Sequence, residues 1–165
     1  MKTLILVRHA KSSWEESGLS DHDRPLNDRG KKDAPEMAKR VQEKIGQIDV
    51  FLSSTAKRAR RTARVFAEAY GKEKKDLLLD EKLYMATHDG FLSSIEQLED
   101  QYESAAVFSH NPGITEFASS LTNVRIDDMP TCAVFAIVAD VSSWKEFSSA
   151  EKKFLFFDYP KNPLD

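Results

Sequence analysis

The chain has 165 residues and 18.7 kDa, the size of about one domain. Its net charge of −3 supplies no global field for nucleic acid or an anionic membrane, so any anion chemistry must come from a local basic cluster. One cysteine, Cys132, excludes an internal disulfide and fits a reducing compartment, so a cytoplasmic location is expected.

In chain order, Thr3–Val7 is a short apolar run ending at Arg8-His9, the pattern of a buried strand. It is shorter than the ~7–15 apolar residues of a secretion signal and ends in basic residues. No stretch approaches the ~20 apolar residues of a membrane span. Asn27 to Lys44 reads as a helix capped by Asn27, with Gly30 and Pro35 unfavourable in its first turns. Val50-Phe51-Leu52 is a second strand, followed by Ser53-Ser54-Thr55 and a helix from Ala56 to Tyr70. Gly71 to Asp76 is a polar turn rather than a domain boundary.

Leu77–Leu79 reads as a third strand, Phe91–Leu98 as a helix and Ala105–Phe108 as a strand ending at Ser109-His110. Ile114–Leu121 is helical. Cys132–Val138 and Lys153–Phe157 are late strands with little room for a helix between them, hence a hairpin. Pro160 to Pro163 reads as a surface tail. This alternation predicts an α/β fold, with a mostly parallel sheet and a late antiparallel part.

Ligands of open α/β sheets gather outside the carboxyl ends of the strands. Arg8-His9, Ser53 to Arg58 and Ser109-His110-Asn111 occupy such ends. One histidine there is more often a structural hydrogen-bonding group. Two, with arginines nearby, favour an active site.

On a helical wheel Lys57, Arg60, Arg61 and Arg64 share one arc, opposite Ala59, Thr62, Ala63, Phe66 and Tyr70. The plain reading of that arc is a solvated face. Arg58 differs: it falls beside Val65 and Ala69, at the edge of the buried face, in a first turn where the helix dipole disfavours a cation. It is either an anion ligand or the partner of a core carboxylate.

Arg8, Arg58 and two histidines suit a phosphoryl group. Arginine offers a rigid donor fork to phosphate oxygens. An unprotonated histidine nitrogen can attack phosphorus, and nearby arginines disfavour imidazolium. The four histidines lack close metal-ligand spacing, and no Walker A or G-x-G-x-x-G sequence is present. Ser53, Ser54 and Ser109 lack a nucleophile elbow and read as caps or loop donors. Cys132 reads as core at the start of a strand; Trp14 and Trp144 read as packing residues rather than the lining of a cleft.

Three segments together resemble the histidine phosphatase superfamily, with its phosphoglycerate-mutase-like fold. Leu4 to Ala10 is similar to its Arg-His-Gly motif, with Ala10 in the glycine position. Ser54 to Ala63 is similar to its Ser-x-x-x-Arg-Ala-x-x-Thr-Ala motif, and Ser109-His110-Asn111-Pro112 to its late histidine motif. Asp23 to Gly30 resembles the Arg-Pro-Leu-Thr-x-x-Gly of the SixA-like phosphohistidine phosphatases, with Asn27 in the threonine position.

The resemblance implies a three-layer αβα sandwich. It implies His9 as phosphorylated nucleophile, with Arg8, Arg58 and His110 binding the phosphoryl group, water completing hydrolysis, and no metal or cofactor. Arg24 is either a further phosphate ligand or, more simply, an exposed loop arginine. The mutase branch has a proton-donating acid in a segment like Asp80 to Met85, where this chain has Met85. An imidazole leaving group needs that proton less than an alcohol does, which favours phosphohistidine; Glu81 or Asp89 remains an alternative acid.

The expected partner is therefore a phosphorylated protein, with small phosphate esters as the alternative substrate. Nucleic acid and membrane are not expected, and the expected state is a monomer. A phosphoprotein-binding module without turnover is the reading from another class. At 165 residues little remains for a capping insertion, and an open site suits a protein substrate.

Overall fold

The computed structural model describes residues 1–15 and 18–162. Six strands form one sheet: β1 (Lys2–Arg8), β2 (Val50–Ser53), β3 (Leu77–Leu79), β4 (Ser104–Ser109), β5 (Val134–Ala139) and β6 (Lys152–Asp158). Their order is β3-β2-β4-β1-β5-β6. The first four are mutually parallel, and β5 and β6 pair antiparallel, as the sequence predicts.

Among the described residues four helices cover the faces: α1 (Asp28–Lys44), α2 (Lys57–Ala69), α3 (His88–Glu96) and α4 (Gly113–Leu121). The alternation of β1 explains the three layers. Leu4 and Leu6 enter one core with α3 and α4 residues such as Phe91 and Phe117. Ile5 and Val7 enter the other, with Met37 of α1 and Phe66 of α2. A strand apolar on both faces must be covered on both.

Asn27 caps α1 as expected, its side chain accepting from the Gly30 N–H at 2.8 Å. Gly30 is required by contact: a Cβ there would clash with the Lys11 carbonyl, which itself accepts from the Asn27 N–H. This docks the loop after β1 onto the start of α1. Pro35 sits inside the helix without ending it. α3 begins three residues before its expected start, because Thr87 caps it through the Gly90 N–H.

Three expectations need correction. β5 begins at Val134, not Cys132, because Cys132 has φ +62°, outside strand geometry; its thiol is nonetheless buried in the core. The β5–β6 connection holds a six-residue 3₁₀ helix, Trp144–Ser149, whose Trp144 and Phe147 complete a core. Trp14 is 78% exposed, whereas Trp144 packs as expected. Pro160–Asn162 form a partly exposed turn, and the last residue of the expected tail, Pro163, lies outside the described residues.

Candidate active site

Three neighbouring strands deliver the site. β1 ends in Arg8 and passes directly to His9, β4 ends in Ser109 and passes to His110, and β2 leads through Ser54 into α2. Parallel pairing sets Arg8 opposite Ser109. The His9 N–H donates to the Ser109 carbonyl at 3.1 Å, and the Cys132 N–H donates to the His9 carbonyl at 3.0 Å. The backbone of His9 is thus held from both sides.

His9 is buried, and both ring nitrogens have partners. Nδ1 lies 2.7 Å from the Ala10 carbonyl, which can only accept, so Nδ1 carries the proton. Nε2 lies 3.4 Å from Arg58 Nε–H, which can only donate, so Nε2 presents its lone pair. Burial, reinforced by Arg58, Arg8 and Arg24, lowers the His9 pKa to about 3 against the opposing Ala10 bond. His9 is therefore a neutral imidazole at pH 7 with a lone pair among cations.

His110 stands beside it, the ring centroids 5.0 Å apart. Its Nε2 lies 2.7 Å from Ser54 Oγ, while Nδ1 is buried without a partner among the described residues. Burial first, and then the neighbouring His9 ring and Arg58 guanidinium, lower its pKa to about 3. Ser54 Oγ also accepts from the Ala56 N–H, so this serine both caps the turn and supports His110.

Arg8 donates from Nη1 to the Met129 carbonyl, and its Nε is buried without a partner among the described residues. The Met129 carbonyl is shared with Asn111 Nδ2. Arg58 is buried on α2, as the wheel predicts, whereas Arg61 and Arg64 are exposed. Thr62 ties this helix to the first loop: its Oγ1 donates to the Arg58 carbonyl and accepts from the Ala10 N–H.

Arg24 is not an exposed loop arginine. It is 8% exposed, its guanidinium stacked over Trp14 at 3.4 Å and bonded to Ser12 Oγ and Asp21. Trp14 is thus solvent-facing on one side and a platform for Arg24 on the other.

Sequence reasoning missed Asp21, His22 and Tyr84. Asp21 joins Arg24 and Arg58 by ion pairs of 3.1 and 3.0 Å and accepts from the Tyr84 hydroxyl at 2.6 Å. The Tyr84 bond, then the Arg58 contacts, hold its carboxyl well below the usual carboxylate range. The same bond raises the Tyr84 pKa. His22 meets Thr55 Oγ1 at 2.9 Å and packs edge-on against Tyr84, which packs edge-on against His110. Met85, next in sequence, is 83% exposed. Asp21 had one signal available: a carboxylate three residues before an arginine.

Arginine donors and neutral histidines in one buried cluster can bind a tetrahedral oxyanion and present it to a nitrogen nucleophile. Among the described residues no group of three or more His, Cys, Asp or Glu is placed to hold a metal, and no helix is long and apolar enough to cross a membrane.

Comparison with known proteins identifies the family and the fold. The family described as the histidine phosphatase superfamily (branch 1) matches residues 4–84. A chloroplastic protein of Arabidopsis thaliana is 32% identical over 154 residues, covering 88% of this chain and 70% of that one. A SixA-type structure from Agrobacterium tumefaciens superposes with a TM-score of 0.79 at 24% identity, over 96% of this chain and 98% of the other. The protein histidine phosphatase SixA complexed with tungstate gives 0.80 at 18% identity, over 96% and 97%. The matched segment carries Arg8, His9 and Arg58, and this chain belongs to the histidine phosphatase superfamily, as a phosphatase with the SixA-like fold.

Proposed function

We propose that this phosphatase hydrolyses phosphohistidine on proteins, with His9 as the nucleophile. The observation that carries the reading is the fixed tautomer of His9: Nδ1–H engaged by Ala10, Nε2 unprotonated beside Arg58. In the first step His9 Nε2 attacks phosphorus, and the bond from phosphorus to the substrate imidazole breaks. The leaving nitrogen keeps the electron pair and takes a proton from solvent. In the second step water attacks phosphorus and the bond to His9 breaks. Inorganic phosphate leaves and the imidazole is regenerated.

Arg8, Arg58 and His110 hold the phosphoryl oxygens, with Arg24 as a further donor behind Asp21. In this mechanism the arginine charges meet the negative charge that spreads in the transition state, and the neutral His110 contributes a hydrogen bond. The partnerless Nε of Arg8 and Nδ1 of His110 gain acceptors when the oxyanion binds.

The substrate class is supported by the acids. Asp21 touches the cluster but is held ionised, so it has no proton to give. Met85 carries none. An alkoxide leaving group needs a positioned acid, and an imidazole needs it less. A phosphomonoesterase is the second reading, favoured by the Tyr84 hydroxyl beside His110; its proton is engaged by Asp21, which opposes donation.

The test compares turnover of a phosphohistidine-bearing protein with p-nitrophenyl phosphate and sugar phosphates. Preferred turnover of the phosphoprotein is expected, and faster sugar phosphate hydrolysis would overturn the assignment. Acid-quenched trapping of labelled phosphoenzyme, absent in His9→Ala, separates catalysis from a binding module.

A further inference from the structure

α2 carries cations where a helix tolerates them least. Lys57, Arg58, Arg60 and Arg61 crowd its N-terminal end, with no acidic residue in the first turn. The helix dipole opposes each of them. The active site accounts for Arg58 alone.

The others face a cavity of about 250 Å³ between α2 and β3. Lys57, Arg60, Arg61 and Arg64 line it from the helix, and Lys74 from the turn before β3. Leu77 and Leu79 supply its apolar wall, Leu79 being 51% exposed. Among the described residues no carboxylate lines it, whereas the neighbouring cavity that Lys57, Arg61 and Arg64 also border has Glu15, Asp28 and Glu68 in its wall. Arg64 is paired with Glu68, but among the described residues the other four cations make no ion pair within 4.0 Å. Arg60 Nε is buried and, among the described residues, has no hydrogen-bond partner, which is an unfavourable state.

Position adds direction. Lys57 adjoins Arg58, and the seven helical steps from Lys57 to Arg64 advance ~10 Å along the helix. The stripe starts at the phosphoryl cluster and leads away from it, bordered by β3, which pairs only with β2 at the sheet's edge.

We propose that this stripe docks an acidic segment of the protein substrate, next to its phosphorylated residue. The inference rests on the reading of the substrate as a phosphoprotein. Carboxylates match the arginine forks, and Leu77 and Leu79 receive an apolar side chain from the same segment. Because the chain carries a net −3, an acidic partner is steered by this local field and not by the molecule as a whole. Single-stranded nucleic acid fits less well, since among the described residues no aromatic side chain lines the cavity for base stacking.

The experiment measures anisotropy of a fluorescent Glu-rich peptide on the wild-type chain, on R61E/R64E and on K145E/K153E. The last pair is exposed, far from α2 in the fold, and changes net charge equally. Expected are comparable binding by wild type and K145E/K153E, and about tenfold or greater weakening in R61E/R64E. Turnover of p-nitrophenyl phosphate stays within about twofold, because Arg61 and Arg64 lie outside the phosphoryl cluster, and added salt weakens the wild-type complex.

Equal affinity in R61E/R64E, or no peptide binding by wild type, overturns the proposal. So does tighter binding of an oligonucleotide or tripolyphosphate than of the peptide. If R61E/R64E loses p-nitrophenyl phosphate turnover, R61Q/R64Q replaces it under the same criteria. Peptide binding does not depend on phosphohistidine turnover, so failure of the substrate assignment is read separately.

Discussion

Asp21 lies across Arg58 at two points: Oδ2 accepts from Nη2 at 3.0 Å, and the backbone carbonyl accepts from Nη1 at 2.7 Å. In the proposed mechanism a phosphoryl oxygen competes with that carboxylate for the same guanidinium. Asp21→Asn removes the charge and leaves the backbone contact that orients Arg58. Tungstate and inorganic phosphate are expected to bind about tenfold more tightly, or ~1.4 kcal/mol, by calorimetry at pH 7. Weaker binding would mean that Asp21 serves chiefly to hold the arginines in place.

Arg58 and Arg61 share a helix but not an environment. Arg58→Ala is expected to lower kcat/KM by at least about a hundredfold, as loss of a transition-state donor does. Arg61→Ala should leave p-nitrophenyl phosphate turnover within about twofold, since exposed charges away from the reacting group contribute little. Steady-state kinetics on purified variants decide it, and equal losses would refute the buried-face assignment of Arg58.

His9 and His110 should both resist protonation. Burial lowers each to about 3 from an ordinary 6.5. Imidazole NMR of the ligand-free protein should show neither ring titrating between about pH 5 and 8. The stability consequence follows in sign. Between pH 6.5 and about 3 the unfolded chain binds protons that the folded histidines refuse. Their contribution is complete above pH 6.5 and is lost as pH falls toward 3, so urea midpoints should drop across that window.

Thr62→Val keeps the shape of a fully buried side chain and deletes its hydroxyl. The Ala10 N–H then loses its acceptor inside the protein. The expected cost is about 1–3 kcal/mol, seen as a lower thermal midpoint. Because that N–H belongs to the residue whose carbonyl fixes the His9 tautomer, kcat should fall as well. An unchanged melting curve would show that water replaces the hydroxyl.

What the sequence made legible was local. β1 and β4 are apolar on both faces, so their depth in the sheet follows from the strands themselves, and the residues just past their ends follow with it. Arg58 was legible because helical geometry alone placed it off the basic arc. Arg24 looks exposed in the sequence because its burial comes from Trp14 and Asp21, partners delivered by loop geometry that no periodicity encodes. Asp21 and Tyr84 are separated by 63 residues and meet through short 3₁₀ turns, beyond what spacing reveals. Cys132 resembles the start of a strand because its neighbours are apolar, and only its left-handed φ sets it apart.

The sheet order β3-β2-β4-β1-β5-β6 puts the two histidine-bearing strands side by side in the interior, each hydrogen-bonded on both flanks. Local opening in proteins starts where backbone bonds are least supported, at rims and termini. The molecule can therefore breathe at β3, where the proposed partner docks, and at β6, while His9 and His110 keep their spacing. Amide hydrogens of β1 and β4 should be the last to exchange with solvent. Compliance for the partner and rigidity for the reaction thus fall on different strands of one sheet.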